Sequence, residues 1–173
     1  MTLRAEEIVA ALGLHGVRYV VIGGLGAVLH GSPIVTQDAD ICPARARENL
    51  DLLAAALRDL KARLRVAGMP NGLAFPYDGA FLANVQLLNL TTPFGDLDLS
   101  YEPAGTAGYE DLNRSAVTYE IAGRQVRVAS LDDIIRSKEA ANREKDRAVL
   151  PTLRLHSRML REGARPKADD TKG

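Results

Sequence analysis

Hydrophobic and polar residues follow one another along the first third of the chain in patterns that predict alternating helices and strands. Apolar positions three and four apart predict a helix over residues 3–14, and the apolar run 17–22 predicts the first strand. A short helix over residues 24–31 and a second strand over about 37–42 follow. From 45 to 66 the leucines form one apolar stripe, which predicts a single long helix.

The middle of the chain is predicted to consist of strands joined by turns. Glycine and proline predict a loop over residues 68–72, and the apolar segment 81–90 predicts a strand. Strict alternation over 96–99 predicts another strand. Two strand-like runs on either side of Ala122-Gly123-Arg124 predict a hairpin within residues 117–128.

The last part of the chain has a helical pattern. Ser130 is a candidate N-cap, and Asp132 and Asp133 are favourable in a first turn. The helix continues with or without a break, and Pro151 either restarts or kinks it. Residues 162–173 are expected to form a disordered tail. This order of elements predicts an α/β (α+β) fold, with a mixed sheet, flanking helices and a C-terminal helical segment.

Length and composition narrow the class of protein. The chain has 173 residues, of which 1–161 are expected to form one domain. Its 46% hydrophobic and 25% charged residues are typical of a globular chain. No apolar run approaches the ~20 residues that cross a membrane, and the N-terminus is unlike a secretory signal. The single Cys42 excludes a disulfide framework or a cysteine-rich zinc site. We therefore expect a cytoplasmic protein with no membrane partner.

Charge is distributed unevenly although the net charge is zero. Residues 1–135 carry 11 Lys and Arg against 16 Asp and Glu, whereas residues 136–173 carry 11 against 6. A basic end on an acidic body suits a substrate or partner that carries phosphates. The alternative is that the helical arginines only solvate a surface.

An acid-apolar-acid motif and a pair of glycines carry the clearest chemical signal. Asp38 and Asp40 are two apart on a predicted strand, so both carboxylates point to one face. Such a pair suits Mg²⁺, with Mn²⁺ as the alternative cation, because Mg²⁺ binds one or two carboxylates plus substrate phosphates. Gly23 and Gly24 follow the first strand and allow the backbone to approach a phosphate closely. Together these residues predict phosphoryl or nucleotidyl transfer.

A third carboxylate and a cation would complete such a site. Asp98, which follows Asp96 on the alternating strand, is a candidate metal ligand or general base. On a continuous helix Lys138, Asn142 and Asp146 would share one face, so that Lys138 neutralises a triphosphate and Asp146 orients it or serves the reacting hydroxyl. The third acid is thus Asp98 or Asp146. The ordinary alternatives are edge-strand solvation and a salt-bridge ladder on the helix surface.

Several neighbouring residues have weaker signals. Ser32 and Thr36 either contact phosphate or make the turn, and Arg143 lies near Lys138 in the sequence. The glycine segment lacks the lysine of a P-loop, and no dinucleotide-binding fingerprint is present.

The motifs resemble those of the polymerase-β-type nucleotidyltransferase superfamily. Its apolar-Gly-Gly element followed by acid-apolar-acid is matched by Ile22-Gly23-Gly24 and Asp38-Ala39-Asp40-Ile41. HGSPIVTQDADI, GDLDL and SLDDIIRSKEAANREKDRAVLPTL resemble the minimal nucleotidyltransferases related to AbiE-type and MenT-type toxins, over about residues 15–156. One position departs from that family, since Ile34 stands where an Arg often precedes the Thr.

The resemblance implies a function and residue roles. Such toxins use a nucleoside triphosphate and Mg²⁺ to add nucleotides to the 3′ acceptor end of tRNA, and they are usually paired with a cognate antitoxin. By position, Asp38 and Asp40 would bind metal, and Lys138 would bind triphosphate while Asp146 assists catalysis; Asp98 is added as a metal ligand from the chemical argument above. Gly23, Gly24 and Ser32 would shape the nucleotide pocket. With Lys138, and with Thr36 and Arg143 from the sequence itself, they are the predicted nucleotide-binding residues.

Two other functions are compatible with the same residues. One is adenylylation of a protein or of a small molecule such as an aminoglycoside. The other is a noncatalytic nucleotide-binding or antitoxin-like module, against which the intact acids and Lys138 argue.

Overall fold

The computed structural model describes residues 2–164 of the chain. Helices and strands alternate through these residues. The strands are β1 (Tyr19–Ile22), β2 (Asp38–Pro43), β3 (Arg63–Val66), β4 (Met69–Leu73), β5 (Leu87–Thr92), β6 (Gly95–Ser100), β7 (Val117–Ile121) and β8 (Arg124–Val128). The helices are α1 (Ala5–Leu14), α2 (Gly23–Leu29), α3 (Arg47–Asp59), α4 (Gly79–Ala83), α5 (Tyr109–Ser115), α6 (Leu131–Ala141) and α7 (Glu144–Gly163).

All of these strands form a mixed sheet in the order β4-β3-β5-β6-β2-β1-β8-β7. The pairs β1–β8 and β2–β6 are parallel, and the other neighbouring strands are antiparallel. In the β2–β6 pair Asp38 lies opposite Asp96, and Asp40 lies opposite Asp98. The predicted α+β fold, a mixed sheet with flanking helices and a C-terminal helical segment, is confirmed.

One face of the sheet packs against α1 and α3. Ile8 and Leu12 of α1 and Leu53 and Leu57 of α3 are buried in the same apolar cluster as Leu97 of β6. Side chains of this size each contribute about 1.5–3 kcal/mol when they are removed from water. This cluster therefore holds β6 and its neighbours in place from one side only.

The other face is covered by helices only around β1 and β2. Val20 and Cys42 of these strands are buried with Ala27 of α2, Ile134 of α6 and Leu153 of α7. Beyond these helices the same face is polar, since partly exposed and buried residues alternate along β6. The polar part of this face, next to α2 and α6, is where the candidate site lies.

The predicted long helix over residues 45–66 is wrong in its second half. α3 ends at Asp59, and Lys61 adopts a left-handed φ of 50° that turns the chain into β3. The N–H groups of Lys61 and Ala62 donate to carbonyl oxygens of the last helical turn, which is a common way to end a helix. Leu60 and Leu64 keep the helical spacing, but Leu64 lies on the strand.

Two further local predictions are wrong in part. Residues 69–73 form strand β4 rather than a loop, because the tight turn is confined to Ala67 and Gly68, the latter with a φ of 77°. The predicted strand over 81–90 begins with α4, whose first turn is capped when Asp78 accepts a hydrogen bond from the Phe81 N–H. Local capping chemistry thus prevails over the apolar pattern in this segment.

The C-terminal helices are separate rather than continuous. Ser130 caps α6 by accepting from the Asp133 N–H, as predicted, and α6 ends where Asn142 adopts a left-handed φ of 49°. α7 begins at Glu144 and runs through Pro151, so the proline does not restart the helix. The predicted disordered tail lies from residue 165 onwards outside the described residues, and its first part is the end of α7.

The predicted hairpin is confirmed as β7 and β8. Ala122 and Gly123 both have positive φ, at 51° and 70°, which matches the turn favoured by the twist of a tight hairpin. In the described part of the chain, no helix is both long and apolar enough to span a membrane.

Candidate active site

Three aspartates meet where β2 and β6 run side by side. Asp38 and Asp40 point away from the buried Ala39, and parallel pairing places Asp98 beside Asp40. Each carboxylate offers an oxygen atom, and these atoms all lie within 4.8 Å of one another. The structure therefore brings together the three acids that the sequence predicts as metal ligands.

Glycines are required where β1 passes into α2. Gly23 has a φ of 60°, and a Cβ at this residue would overlap the carboxylate of Asp40. A Cβ on Gly24 would lie 2.6 Å from Oγ1 of Thr36. Both glycines thus lie directly against the acidic strand, and a side chain at either would fill the space beside it.

Burial and like charges perturb the acids. Burial is the largest influence on Asp40 and, with the charges of Asp38 and Asp98, raises its pKa to about 6, although the Gly24 backbone hydrogen bond and Lys138 oppose the shift. Burial also raises the pKa of Asp98 above its ordinary value, against the opposing charge and hydrogen bond of Arg65. Both perturbations are those expected where carboxylates are crowded together to receive a cation or proton.

Arg65 of β3 reaches across β5 to this cluster. Its guanidinium donates to both carboxylate oxygens of Asp98 at 2.8 and 3.0 Å. Its other terminal nitrogen lies 2.7 Å from Oδ2 of Asp96. The sequence interpretation missed Arg65 because it placed the residue on a helix, although the alternation of Arg63, Leu64, Arg65 and Val66 has the period of a strand.

Lys138 and Arg143 form a second charged cluster with Asp146. The Asp146 side chain has no exposed surface, and it accepts from Nζ of Lys138 at 3.2 Å and from Nε of Arg143 at 2.6 Å. Burial alone would raise the pKa of Asp146, but these hydrogen bonds outweigh it and hold the pKa below its ordinary value. Lys138 also acts electrostatically on Asp40, so the cationic cluster faces the three acids.

The predicted continuous helical face of Lys138, Asn142 and Asp146 is wrong. Asn142 ends α6, and its backbone N–H donates to the carbonyl oxygen of Lys138. Arg143 is the N-cap residue of α7, and its Nε donates a hydrogen bond to the carboxylate of Asp146 in the first turn of that helix. Lys138 and Asp146 therefore meet because the chain breaks and turns between them.

The two turn residues differ in their surroundings. Oγ1 of Thr36 donates to the backbone oxygen of Asp38 at 3.1 Å and lies 3.2 Å from its Oδ1. Thr36 therefore helps to orient the first acid. Ser32 is buried, and its hydroxyl has no hydrogen-bond partner among the described residues.

The chemistry of these donors fits a hard divalent cation. Carboxylate oxygens are the ligands that Mg²⁺ and Mn²⁺ prefer, and three of them converge here. Burial is the main cause of the raised pKa of Asp40, and a bound cation would relieve the repulsion from Asp38 and Asp98 that adds to it. Lys138 and Arg143 supply positive charge within electrostatic reach of Asp40, which suits an anionic substrate.

Several solved structures have a similar fold. The lincosamide antibiotic adenylyltransferase LnuA, solved with lincomycin bound, superposes with a TM-score of 0.57 at 17% identity over 89% of this chain and 98% of that one. The antibiotic-resistance factor ANT(2″)-Ia gives 0.55 at 19% identity over 90% and 82%. TM1012 of Thermotoga maritima, a protein assigned to the nucleotidyltransferases, gives 0.53 at 17% identity over 93% and 96%.

These superpositions show that the chain shares the fold of these solved nucleotidyltransferases. At 17–19% identity the similarity is one of fold. No family model and no curated protein sequence matches the chain.

Proposed function

We propose that this chain is a Mg²⁺-dependent nucleotidyltransferase that transfers a nucleoside monophosphate from a nucleoside triphosphate to an acceptor hydroxyl. The observation that carries this proposal is the convergence of Asp38, Asp40 and Asp98 on one face of the sheet, opposite Lys138. A bound divalent cation would neutralise triphosphate oxygens and lower the pKa of the attacking hydroxyl.

In this proposal the residues around the site have separate roles. Lys138 binds the triphosphate, and Arg143 adds positive charge beside it. Gly23 and Gly24 leave room for phosphate close to the acidic strand. Asp146 holds Lys138 and Arg143 in place through its buried carboxylate. Because Asp98, and not Asp146, converges with Asp38 and Asp40, the third functional acid in this proposal is Asp98.

The proposed reaction forms one P–O bond and breaks another. An acceptor oxygen attacks the α-phosphorus, a new P–O bond forms, and the bond from the α-phosphorus to the bridging oxygen breaks as pyrophosphate leaves. The proton of the attacking hydroxyl passes to a carboxylate of the acidic cluster, for which this proposal names Asp98.

As the acceptor we propose the 3′ end of tRNA, with the chain acting as the toxin of a toxin–antitoxin pair. The C-terminal segment from residue 136 carries 11 Lys and Arg against 6 acids. A groove of about 670 Å³ between α6 and α7 is lined by arginines, among them Arg154, Arg158 and Arg161. Such a surface favours a polyanion, although Arg154 and Arg161 also pair with acids of α6.

A small hydroxylated molecule is the second candidate acceptor. LnuA was solved with lincomycin and ANT(2″)-Ia with adenylyl-2″-tobramycin, and both share this fold. A groove of about 380 Å³ opens beside Asp96 and is lined by Arg65, Met69 and Thr91. This volume is within the range of about 300–1,000 Å³ that is common for small-ligand sites.

Parallel incubations separate the two acceptors. The purified chain, Mg²⁺ and each α-labelled nucleoside triphosphate are incubated with total tRNA, with candidate proteins, or with a panel of lincosamides and aminoglycosides. Label on the tRNA 3′ end, together with growth arrest on expression, supports the first proposal. Label that reaches only an antibiotic or a protein overturns the tRNA proposal, and no label on any acceptor overturns the assignment as an enzyme.

A matched pair of variants tests whether the site is responsible. Asp38→Asn removes one carboxylate charge from the cluster and is expected to abolish labelling. Asp51→Asn makes the same chemical change at an exposed helix position, where the carboxylate only pairs with Arg47 at 3.4 Å. Asp51→Asn is expected to label like the wild type.

A further inference from the structure

Arg65 occupies an irregular point of the sheet. β3 pairs with β5 at Arg63 and Leu64, and the register between β3 and β4 shifts between Leu64 and Val66. The ladder is therefore interrupted at Arg65. Interruptions of this kind are over-represented next to active sites, where they re-aim a side chain.

The contacts of Arg65 differ from those of an ordinary surface pair. Its guanidinium binds both oxygens of Asp98 and one oxygen of Asp96, so one fork fixes two acids of β6. The Asp98 side chain is only 18% exposed. A planar fork that binds two carboxylates sets their orientation, whereas a flexible ammonium supplies only a point charge.

The fixed orientation matters because of what surrounds Asp98. Asp38 and Asp40 lie within the same cluster, and Asp96 is opposite Asp38 on the neighbouring strand. Four like charges on two adjacent strands repel one another, so an unrestrained Asp98 would rotate away from the cluster. The hydrogen bonds that Arg65 of β3 donates to Asp98 oppose this rotation.

We infer that Arg65 is a positioning residue that holds Asp98 in the geometry required for cation binding and transfer. The inference rests on the proposed function and adds to it a residue outside the three acids. Arg65 acts through Asp98 and has no role in triphosphate binding, since Lys138 and the glycines lie on the β1 and α6 side. Loss of a residue that orients a metal ligand costs about 10- to 100-fold in metal affinity or activity.

Four variants test this role. Arg65→Met removes both charge and fork, whereas Arg65→Lys keeps the charge. Asp96→Asn weakens the other half of the fork without touching the three acids. Arg63→Met is the matched control, because Arg63 lies two residues away on β3 and donates to the backbone oxygens of Asn71 and Gly72 instead. Circular dichroism and thermal unfolding of each variant establish that it is folded.

The first readout is cation binding, measured as the Kd for Mn²⁺ by calorimetry. We expect Arg65→Met and Arg65→Lys each to bind Mn²⁺ about 10-fold more weakly, and Arg63→Met to bind like the wild type. Tighter binding by Arg65→Met would mean that the guanidinium competes with the cation and would overturn the inference. Wild-type binding by Arg65→Lys would also overturn it, because a point charge would then suffice.

The second readout is the division between kcat and KM. We expect kcat to fall about 10- to 100-fold in the Arg65 variants while KM for the triphosphate changes less than about twofold. The Asp96→Asn effect should be smaller and should not add to that of Arg65→Met, since both act on one fork. Full additivity, or a rise in KM with unchanged kcat, contradicts positioning through Asp98.

The proposed function and the inference about Arg65 can be refuted independently. If the wild type transfers no nucleotide to any acceptor, the proposed function fails, and the Mn²⁺ measurements still decide the role of Arg65. If transfer occurs but the Arg65 variants match Arg63→Met in both readouts, the inference about Arg65 fails alone.

Discussion

Replacing Asp40 by Asn should make the metal-free protein more stable at neutral pH while it destroys the site. Burial, together with the charges of Asp38 and Asp98, raises the pKa of Asp40 from 3.8 to about 6. Each unit of pKa corresponds to about 1.36 kcal/mol, so the ionised carboxylate costs the folded state about 3 kcal/mol. Asn has nearly the same shape and still accepts from the Gly24 N–H, but it carries no charge.

The sign of the effect follows from proton binding. Between about pH 4 and pH 6 the unfolded chain has already lost the Asp40 proton while the folded chain keeps it, so stability falls as pH rises. Above about pH 6 the full cost is present, and well below pH 4 it is absent. The advantage of Asp40→Asn should therefore approach about 3 kcal/mol at pH 7.5 and shrink towards zero near pH 4.

Urea unfolding in a chelating buffer at several pH values measures this difference. Asp51→Asn is the control, because its surface pair with Arg47 should contribute only about 0.3–0.5 kcal/mol. Adding Mg²⁺ should stabilise the wild type by mass action and leave Asp40→Asn unchanged. The reasoning is refuted if Asp40→Asn is no more stable than the wild type at pH 7.5, or if the difference does not vary with pH.

Four further substitutions have expected outcomes. Gly23→Ala and Gly16→Ala both place Ala at a positive φ, of 60° and 67°, and each should cost about 1–2 kcal/mol in urea unfolding. Only Gly23→Ala should also weaken Mn²⁺ binding in calorimetry, because only its Cβ meets Asp40. Asp146→Asn should cost about 3 kcal/mol at neutral pH, since it leaves the largely buried ammonium of Lys138 uncompensated. Because the pKa of Asp146 is lowered, this loss should diminish as the pH falls, and an unchanged loss in acid would contradict the ion-pair account. Leu97→Ala should cost about 2–5 kcal/mol in urea unfolding through the cavity left at a fully buried position, and a cost below 1 kcal/mol would mean that the core is assigned wrongly.

The acidic strand could be predicted from the sequence because its signals are local. A period of two places Asp38 and Asp40 on one face whatever the sheet order is. The glycine pair before α2 is likewise a short-range feature. The pairing of β2 with β6, which brings Asp98 to the cluster, is a long-range contact. The alternation of residues 96–99 made Asp98 a candidate third acid, but nothing local to that strand shows which strand it pairs with.

The segments that were predicted wrongly are those in which local geometry prevails over hydrophobic spacing. The leucine stripe continues past the end of α3, so nothing in its period shows that Lys61 turns the chain into a strand. Because strand β3 was not predicted, the contact of Arg65 with the acids was not predicted either. The break at Asn142 is equally invisible to periodicity, and yet it is what lets Asp146 fold back onto Lys138.

The most direct test of nucleotidyl transfer uses two labels in one reaction. The wild type, Asp38→Asn and Asp51→Asn are incubated with Mg²⁺, the tRNA or small-molecule acceptor, and a nucleoside triphosphate labelled at either the α- or the γ-phosphate. We predict that α-label joins the acceptor while γ-label leaves as pyrophosphate, and that only Asp38→Asn loses this activity. Transfer of γ-label to the acceptor, or α-transfer that survives Asp38→Asn, would contradict the assignment of this site.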